Sequence, residues 1–315
     1  MTTKIEWADA TINPVVGCSH CSPGCENCFA ERFAARMVKH PNPKISGKYA
    51  GVVDEHGKWT GKINLHMDGC LHAASVTRKP KRFFIGSMTD IFHENIPDEE
   101  IRNLFLSMTI VPNDLPTYIV LTKRPQRAKA ILEDMLVTCP ELHRVWLGVT
   151  VCNQAEADAK IPVLLQTPAA VRFVSIEPML GPMNFCLEDL MDQTWDTLRG
   201  GITAESSGLG IVTRYQATPH IDWVICGGET GPGARPMHPD WVRSLRDQCQ
   251  AAGVPFFFKN WGEWAPNCLC GTKRPHPIIP RPTPGHVGCM FRCGKRRAGR
   301  LLDGRTWDEF PEVRQ

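Results

Sequence analysis

The chain has 315 residues, with 36 Lys and Arg against 33 Asp and Glu, a formal charge of +3, and 42% hydrophobic residues. So small a charge demands no polyanionic partner, and no apolar run reaches the roughly 18 residues of a membrane span. The opening MTTKIEWADA lacks the basic-then-apolar order of an export signal, so a cytoplasmic protein with reduced thiols is expected.

In chain order, a first strand is expected at Asn13–Gly17. It runs into the cysteine-rich stretch GCSHCSPGCENCFA and a helix at Glu26–Lys39. Residues 41–80 are polar and partly strand-like (KWTGKINLH) and read as an insertion after that helix. A strand at Arg82–Met88 is followed by a helix at Pro97–Val111, whose PDEE start puts carboxylates at the positive end of the helix dipole. Then come a strand at Thr117–Thr122, a helix at Pro125–Val137 with proline in its first turn, and a strand at Val145–Val151. A helix at Asn153–Gln166 and a strand at Val171–Ile176 follow. Residues 184–220 read as a helix plus a long loop. The series closes with strands at Ile221–Gly227 and Pro255–Lys259 around a helix at Pro239–Ala252. Short continuous apolar strands alternating with helices predict parallel βα units. The expected class is α/β, a partial TIM-type barrel over 1–262 with the 41–80 insertion. A C-terminal extension at 263–315, holding four more cysteines, would pack on it.

In such barrels functional groups gather where the strands end at their C-terminal side. Those ends carry Ser87, Asp90 and His93; Lys123 and Arg124; Asn153; Glu177; Gly228 and Glu229; and Lys259 with Trp261. Asp90 and Glu177 suit the amine or ribose hydroxyls of a cofactor, or they cap helices. Ser87, Asn153 and Glu229 are further cofactor candidates, and Gly228 lets backbone approach a ligand. Arg124, Lys259 and Trp261 are candidates for substrate binding. Lys123 and His93 are candidates for catalysis, against a solvated pair member and a packed histidine respectively.

Cys18, Cys21, Cys25 and Cys28 fall within eleven residues. Three thiolates from one short loop suit a 4Fe–4S cluster with one iron left open. Four could instead hold zinc, although four ligands this close would strain the loop. Cys21, Cys25 and Cys28 have Cys-x3-Cys-x2-Cys spacing, which resembles the radical S-adenosylmethionine (SAM) signature, and Cys18, Cys25 and Cys28 form a second triad. Cys268, Cys270, Cys289 and Cys293, with His276 and His286 nearby, form a second group for zinc or an auxiliary cluster. The remaining six cysteines are dispersed and read as small buried hydrophobes.

With these residues stand the blocks IEWADATINPVVGC, SPGCENCFAERFA, FIGSMTDIFHENIP, LTKRPQRA, SIEPMLGPM, WVICGGETGPGARPMHPDWVRSLRDQC, FFFKNWGEW and AGRLLDGRTWDEF. Together they resemble a phage-associated radical SAM-like family over nearly the whole chain. Its members show Cys-x6-Cys-x2-Cys at the first strand, which here selects Cys18, Cys25 and Cys28. The resemblance implies a radical SAM barrel, a SAM-binding 4Fe–4S cluster, an electron donor of the flavodoxin or ferredoxin type, and residence in the host cytoplasm. It further suggests an isomerase or mutase reaction on a modified pyrimidine, a thymidine amino-acid adduct of phage DNA. Two other classes compete with this reading. One is a zinc-stabilised nucleic-acid-binding protein without catalysis, which the run Lys295-Arg296-Arg297 with Arg300 would serve. The other is an electron-transfer protein with closed clusters.

Overall fold

The computed structural model describes residues 3, 5–111, 114–135, 142–188, 193–204, 212–214, 219–266, 278–280 and 287–312. The chain divides into two compact units, residues 1–149 with 166–171, and residues 150–165 with 172–315.

The first unit contains β1 (Ala10–Ile12), β2 (Val15–Val16), a 3-10 turn at Pro23–Cys25 and α1 (Phe29–Met37). It continues with α2 (Pro43–Ser46), β3 (Asn64–Leu65), α3 (His72–Ser75), β4 (Lys81–Ile85), α4 (Asp98–Thr109), β5 (Pro116–Thr122), α5 (Pro125–Met135) and β6 (Val145–Thr150). Strands β1, β4, β5 and β6 lie side by side in that order, all parallel, with Ile12 opposite Ile85, Ile85 opposite Val120 and Val120 opposite Leu147. Every residue of β6 is buried, as a parallel strand covered on both faces requires. Phe83, Phe92, Phe105 and Tyr118 are among the largest fully buried side chains here. The α4 dipole is met by Asp98, Glu99 and Glu100 in its first turn.

The second unit holds α6 (Gln154–Gln166), β7 (Val171–Ile176), and then β8 (Cys186–Glu188), β9 (Gln193–Asp196), β10 (Gly201–Ala204) and β11 (Val212–Arg214), which form an antiparallel sheet. Next come β12 (Trp223–Gly227), α7 (Pro239–Ala252) and β13 (Phe256–Asn260). Last are β14 (Trp264–Pro266), β15 (Ile278–Pro280), β16 (Val287–Arg292) and α8 (Lys295–Ala298). Strands β7, β12 and β13 are parallel neighbours, with Trp223, Phe173, Phe256, Phe257 and Phe258 in the core. Helix α7 stops at Gly253, whose left-handed backbone (φ 69°) lets its N–H and the next one cap the last turn. The C-terminal segment returns to this core: Trp307 O accepts from Phe258 N–H, and Asp308 bridges Phe257.

The class is thus mixed α/β built of parallel βα units, as a partial β/α barrel requires. Two expectations need correction. The strand beside β4 is Ala10–Ile12, not Asn13–Gly17. Pro14 interrupts the run, and Val15–Val16 turns aside to pair antiparallel with Asn64–Leu65 of the insertion. The segment 184–220 contains four strands, and none of its described residues is helical. No helix among the described residues is long and apolar enough to cross a membrane.

One glycine joins the insertion to the cysteine loop. Gly17 has φ 114°, and a Cβ there would sit 2.1 Å from Lys62 O. Its N–H donates to Met88 O, and its C=O accepts from the Thr89 hydroxyl at 2.6 Å. A Gly17→Ala variant is expected to lose more than about 2 kcal/mol, because both the φ and the backbone contact are forbidden to a side chain. An unchanged thermal melt would refute the close approach.

Candidate functional site

The four N-terminal cysteines leave β2 in a loop that closes into the Pro23–Cys25 turn and enters α1. Ser22 caps that turn by accepting from Gly24 N–H, Cys25 N–H donates to Ser22 O, and Cys28 N–H donates to Cys25 O. Cys28 is the N-cap of α1. Cys25 is buried, Cys18 and Cys28 are half-buried, and Cys21 is exposed.

A buried carboxylate organises the floor beneath this loop. Asp90, 6% exposed, lies in the turn after β4. Its Oδ1 accepts from Phe92 N–H (3.0 Å) and the Thr122 hydroxyl (2.8 Å). Its Oδ2 accepts from Lys123 N–H (2.8 Å) and Arg124 Nη1 (3.3 Å). The end of β5 is therefore locked to the turn after β4. Arg124 spends its remaining donors on the loop and its neighbours, with Nε to Glu94 Oε2 at 2.7 Å and Nη2 to Ser19 Oγ at 2.8 Å. Ser19, between Cys18 and Cys21 in the chain, donates its hydroxyl proton to Glu94 Oε1 (2.9 Å).

His93 completes the network. It is fully buried, its Nδ1 accepts from Asn95 N–H (3.1 Å), and its Nε2 lies 2.8 Å from Ser19 Oγ. With Nδ1 accepting and the serine proton on Glu94, the imidazole is neutral and its Nε2–H donates to Ser19. Burial, with Arg124 next, holds its pKa below the usual histidine value. Arg127 adds a clamp from α5 by donating to His93 O, Ile96 O and Asp98. Glu94 is held well down, to about 2; burial opposes this, and its backbone N–H, Ser19 and Arg124 outweigh it.

The thiols feel these charges. Burial, then Asp90, pushes Cys18 up to about 11, with Arg124 pulling the other way. Cys21 and Cys25 share a hydrogen bond that favours the thiolate of Cys25, at about 5, with Lys123 and His20 adding to it. That same bond and burial raise Cys21 far above its usual value. On the outer side, the buried carboxylate of Glu31 on α1 accepts from Trp59 N–H (2.9 Å) and pairs with Lys58 (3.1 Å) and His20 (2.9 Å). These contacts tie the insertion to the cysteine loop. An open cleft of about 490 Å³ runs here between His20, Ser22, Glu26, Glu31, Lys58 and Trp59.

Among the described residues, no three Cys, His, Asp or Glu side chains converge as ligands of a single metal ion. A cubane cluster asks for something else. Its thiolates sit on separate irons, spread around a space. A loop of four thiols beside two cations supplies the right donor type and charge for it.

The other expected residues sort as follows. In the first unit, Ser87 Oγ donates to Asn13 Oδ1 (3.0 Å). In the second, Asn153 caps α6 by accepting from Glu156 N–H (3.0 Å). Glu177 pairs with Lys259 (2.8 Å) and accepts from the Ser175 hydroxyl (3.1 Å). Glu229 is buried beneath Arg235, accepting from its N–H, Nε and Nη2 at 2.7, 2.9 and 2.6 Å. Gly228 approaches the backbone of Trp261 closely, since a Cβ there would lie 2.1 Å from Trp261 O. Trp261 is itself buried, its indole donating to Leu301 O (2.9 Å). Cys268, Cys270, His276 and His286 lie outside the described residues, as does the side chain of Cys289. Cys293 N–H donates to Glu263 O (3.0 Å). Sequence reasoning missed Ser19, Glu94, Arg127 and Glu31. Their only linear signal was proximity to the cysteines, to His93, to Arg124 and to Cys28.

Neither a curated protein nor a solved structure matches the chain. A family profile described as "Protein of unknown function (DUF5131)" matches residues 2–311, and the chain belongs to that family.

Proposed function

We propose that this protein is a radical SAM enzyme whose 4Fe–4S cluster is held by the N-terminal cysteine loop. One observation carries the reading: a loop of four thiols is fastened by Ser19, through half-buried Arg124 and buried Asp90, to the ends of β4 and β5. Such a loop places soft ligands where α/β enzymes of this class do their chemistry.

Cys18, Cys25 and Cys28 are the assigned ligands. Cys21 is exposed and its thiol touches that of Cys25, whereas cluster thiolates on separate irons must stand apart. A cluster held by Cys18, Cys25 and Cys28 would supply the electron for reductive cleavage of SAM and thereby hydrogen-abstraction chemistry. The chain's own contribution is to position and balance charge. Arg124 lies beside Cys18 and Cys21, and Lys123 beside Cys25, so both cations favour the deprotonated sulfurs a cluster needs. Asp90, with all its acceptor sites occupied by Phe92, Thr122, Lys123 and Arg124, is a positioning residue. His93, neutral and sealed under Ser19, holds the loop rather than moving protons. In the second unit, the Glu177–Lys259 pair is partly exposed. A modified pyrimidine, rearranged in an isomerase or mutase reaction, is the substrate the family resemblance favours.

The test is anaerobic reconstitution with iron and sulfide. The expected product is a brown protein that forms 5′-deoxyadenosine from SAM under a strong reductant. Purified protein that carries zinc, takes up no iron and leaves SAM intact would overturn the reading in favour of a structural metal site.

A further inference from the structure

We infer that the C-terminal turn around Arg296 and Arg297 is a docking surface for the phosphate backbone of a nucleic acid. Helix α8 is a single turn carrying Lys295, Arg296 and Arg297, all exposed. Gly294 (φ 85°) and Gly299 (φ 69°) bound it. Gly294 N–H donates to Glu263 O at 3.0 Å, and Trp261 N–H donates to Gly299 O at 3.1 Å. The turn is thus pinned at both ends to the β13–β14 connection while its side chains face solvent.

Three acidic residues of the C-terminal segment already have arginine partners. Asp303 is taken by Arg243 and Arg246, Asp308 by Arg300, and Glu309 accepts from Arg305. Among the described residues no carboxylate pairs with Arg296 or Arg297. Arg300 and Arg305 are met by carboxylates, whereas Arg296 and Arg297 present two adjacent guanidinium forks on a pinned turn. Arginine forks match phosphate oxygens in pairs. A protein-docking surface would show an apolar centre. Here the three exposed residues of the turn are all cationic, the charge that a phosphate-tracking interface carries. This surface does not depend on cluster chemistry. If the radical reading holds, it makes a polymer, rather than a free nucleotide, the form in which substrate arrives.

The experiment measures fluorescence anisotropy of a labelled 30-base-pair duplex and of the matching single strand against the full-length protein over a range of salt. The variants compared are Arg296→Ala/Arg297→Ala and a charge-matched control, Lys39→Ala/Lys44→Ala, at exposed positions of the first unit. The arginine variant is expected to bind at least tenfold more weakly at low salt. Its log–log salt slope should be shallower by about two, one for each phosphate contact removed. The control should match the wild type. Equal losses in both variants, or none in the arginine variant, would overturn the inference. So would equally tight, arginine-dependent binding of polyglutamate, which would make the turn a site for acidic proteins. Because no cluster or SAM is involved, failure here leaves the enzymatic reading standing, and loss of SAM cleavage leaves this surface standing.

Discussion

Replacing Cys25 or Cys28 by alanine is expected to abolish cluster assembly and SAM cleavage together. Cys18→Ala should do the same, while Cys21→Ala should retain wild-type iron and sulfide. The reason is geometric. Cys25 ends the 3-10 turn and Cys28 caps α1, so a hydrogen-bonded turn holds the two in fixed relation. Cys18 is set by Gly17, both of whose backbone polar groups are tied to the 88–89 turn. Cys21 is the one of the four that is exposed. Iron and acid-labile sulfide are counted on reconstituted protein, and 5′-deoxyadenosine is counted after reduction. Loss of iron in Cys21→Ala with retention in Cys18→Ala would transfer the third ligand to Cys21. Full SAM cleavage in Cys25→Ala or Cys28→Ala would end the cluster assignment.

Asp90→Asn is expected to have the largest effect on stability. All four partners of this carboxylate are donors: Phe92 N–H, the Thr122 hydroxyl, Lys123 N–H and Arg124 Nη1. An amide of the same shape accepts on one side only and must turn its NH₂ against two of them. It also leaves Arg124, with a side chain 12% exposed, without its buried counter-charge. Breaking one half of a buried pair costs about 3–5 kcal/mol, a fall of about 10 °C in Tm for a unit of this size. Glu94→Gln serves as the comparison. Glu94 also binds Arg124, but its side chain is 58% exposed, so solvent screens the pair and the loss should stay below about 1 kcal/mol. If Asp90→Asn melts with the wild type, the network is decoration. If it is destabilised as expected, reconstituted iron content should fall with it, because Ser19 and the cysteine loop rest on Arg124.

The alternating apolar runs gave the parallel βα order almost residue for residue at β7 and α7, because a strand buried on both faces must be continuously apolar and a helix must show its period. The same logic misplaced the first strand. Val15–Val16 is as apolar as Ala10–Ile12, and only the partner supplied by Asn64–Leu65 decides which run joins the sheet. It also failed at 184–220, where antiparallel strands are set by partners that the local pattern does not name. The candidate site divides in the same way. Thiol spacing was visible in the chain because all four cysteines lie within one short stretch of it.

What the sequence by itself determined is therefore the class of fold and the loop in which four thiols cluster. Only the tertiary structure decided what Asp90, His93 and Arg124 do, since their roles depend on partners up to 105 positions away, as between Arg124 and Ser19. A carboxylate in a string of letters looks ready for a ligand. Folding brings four donors to it, and electrostatics in a buried site leaves it nothing further to bind.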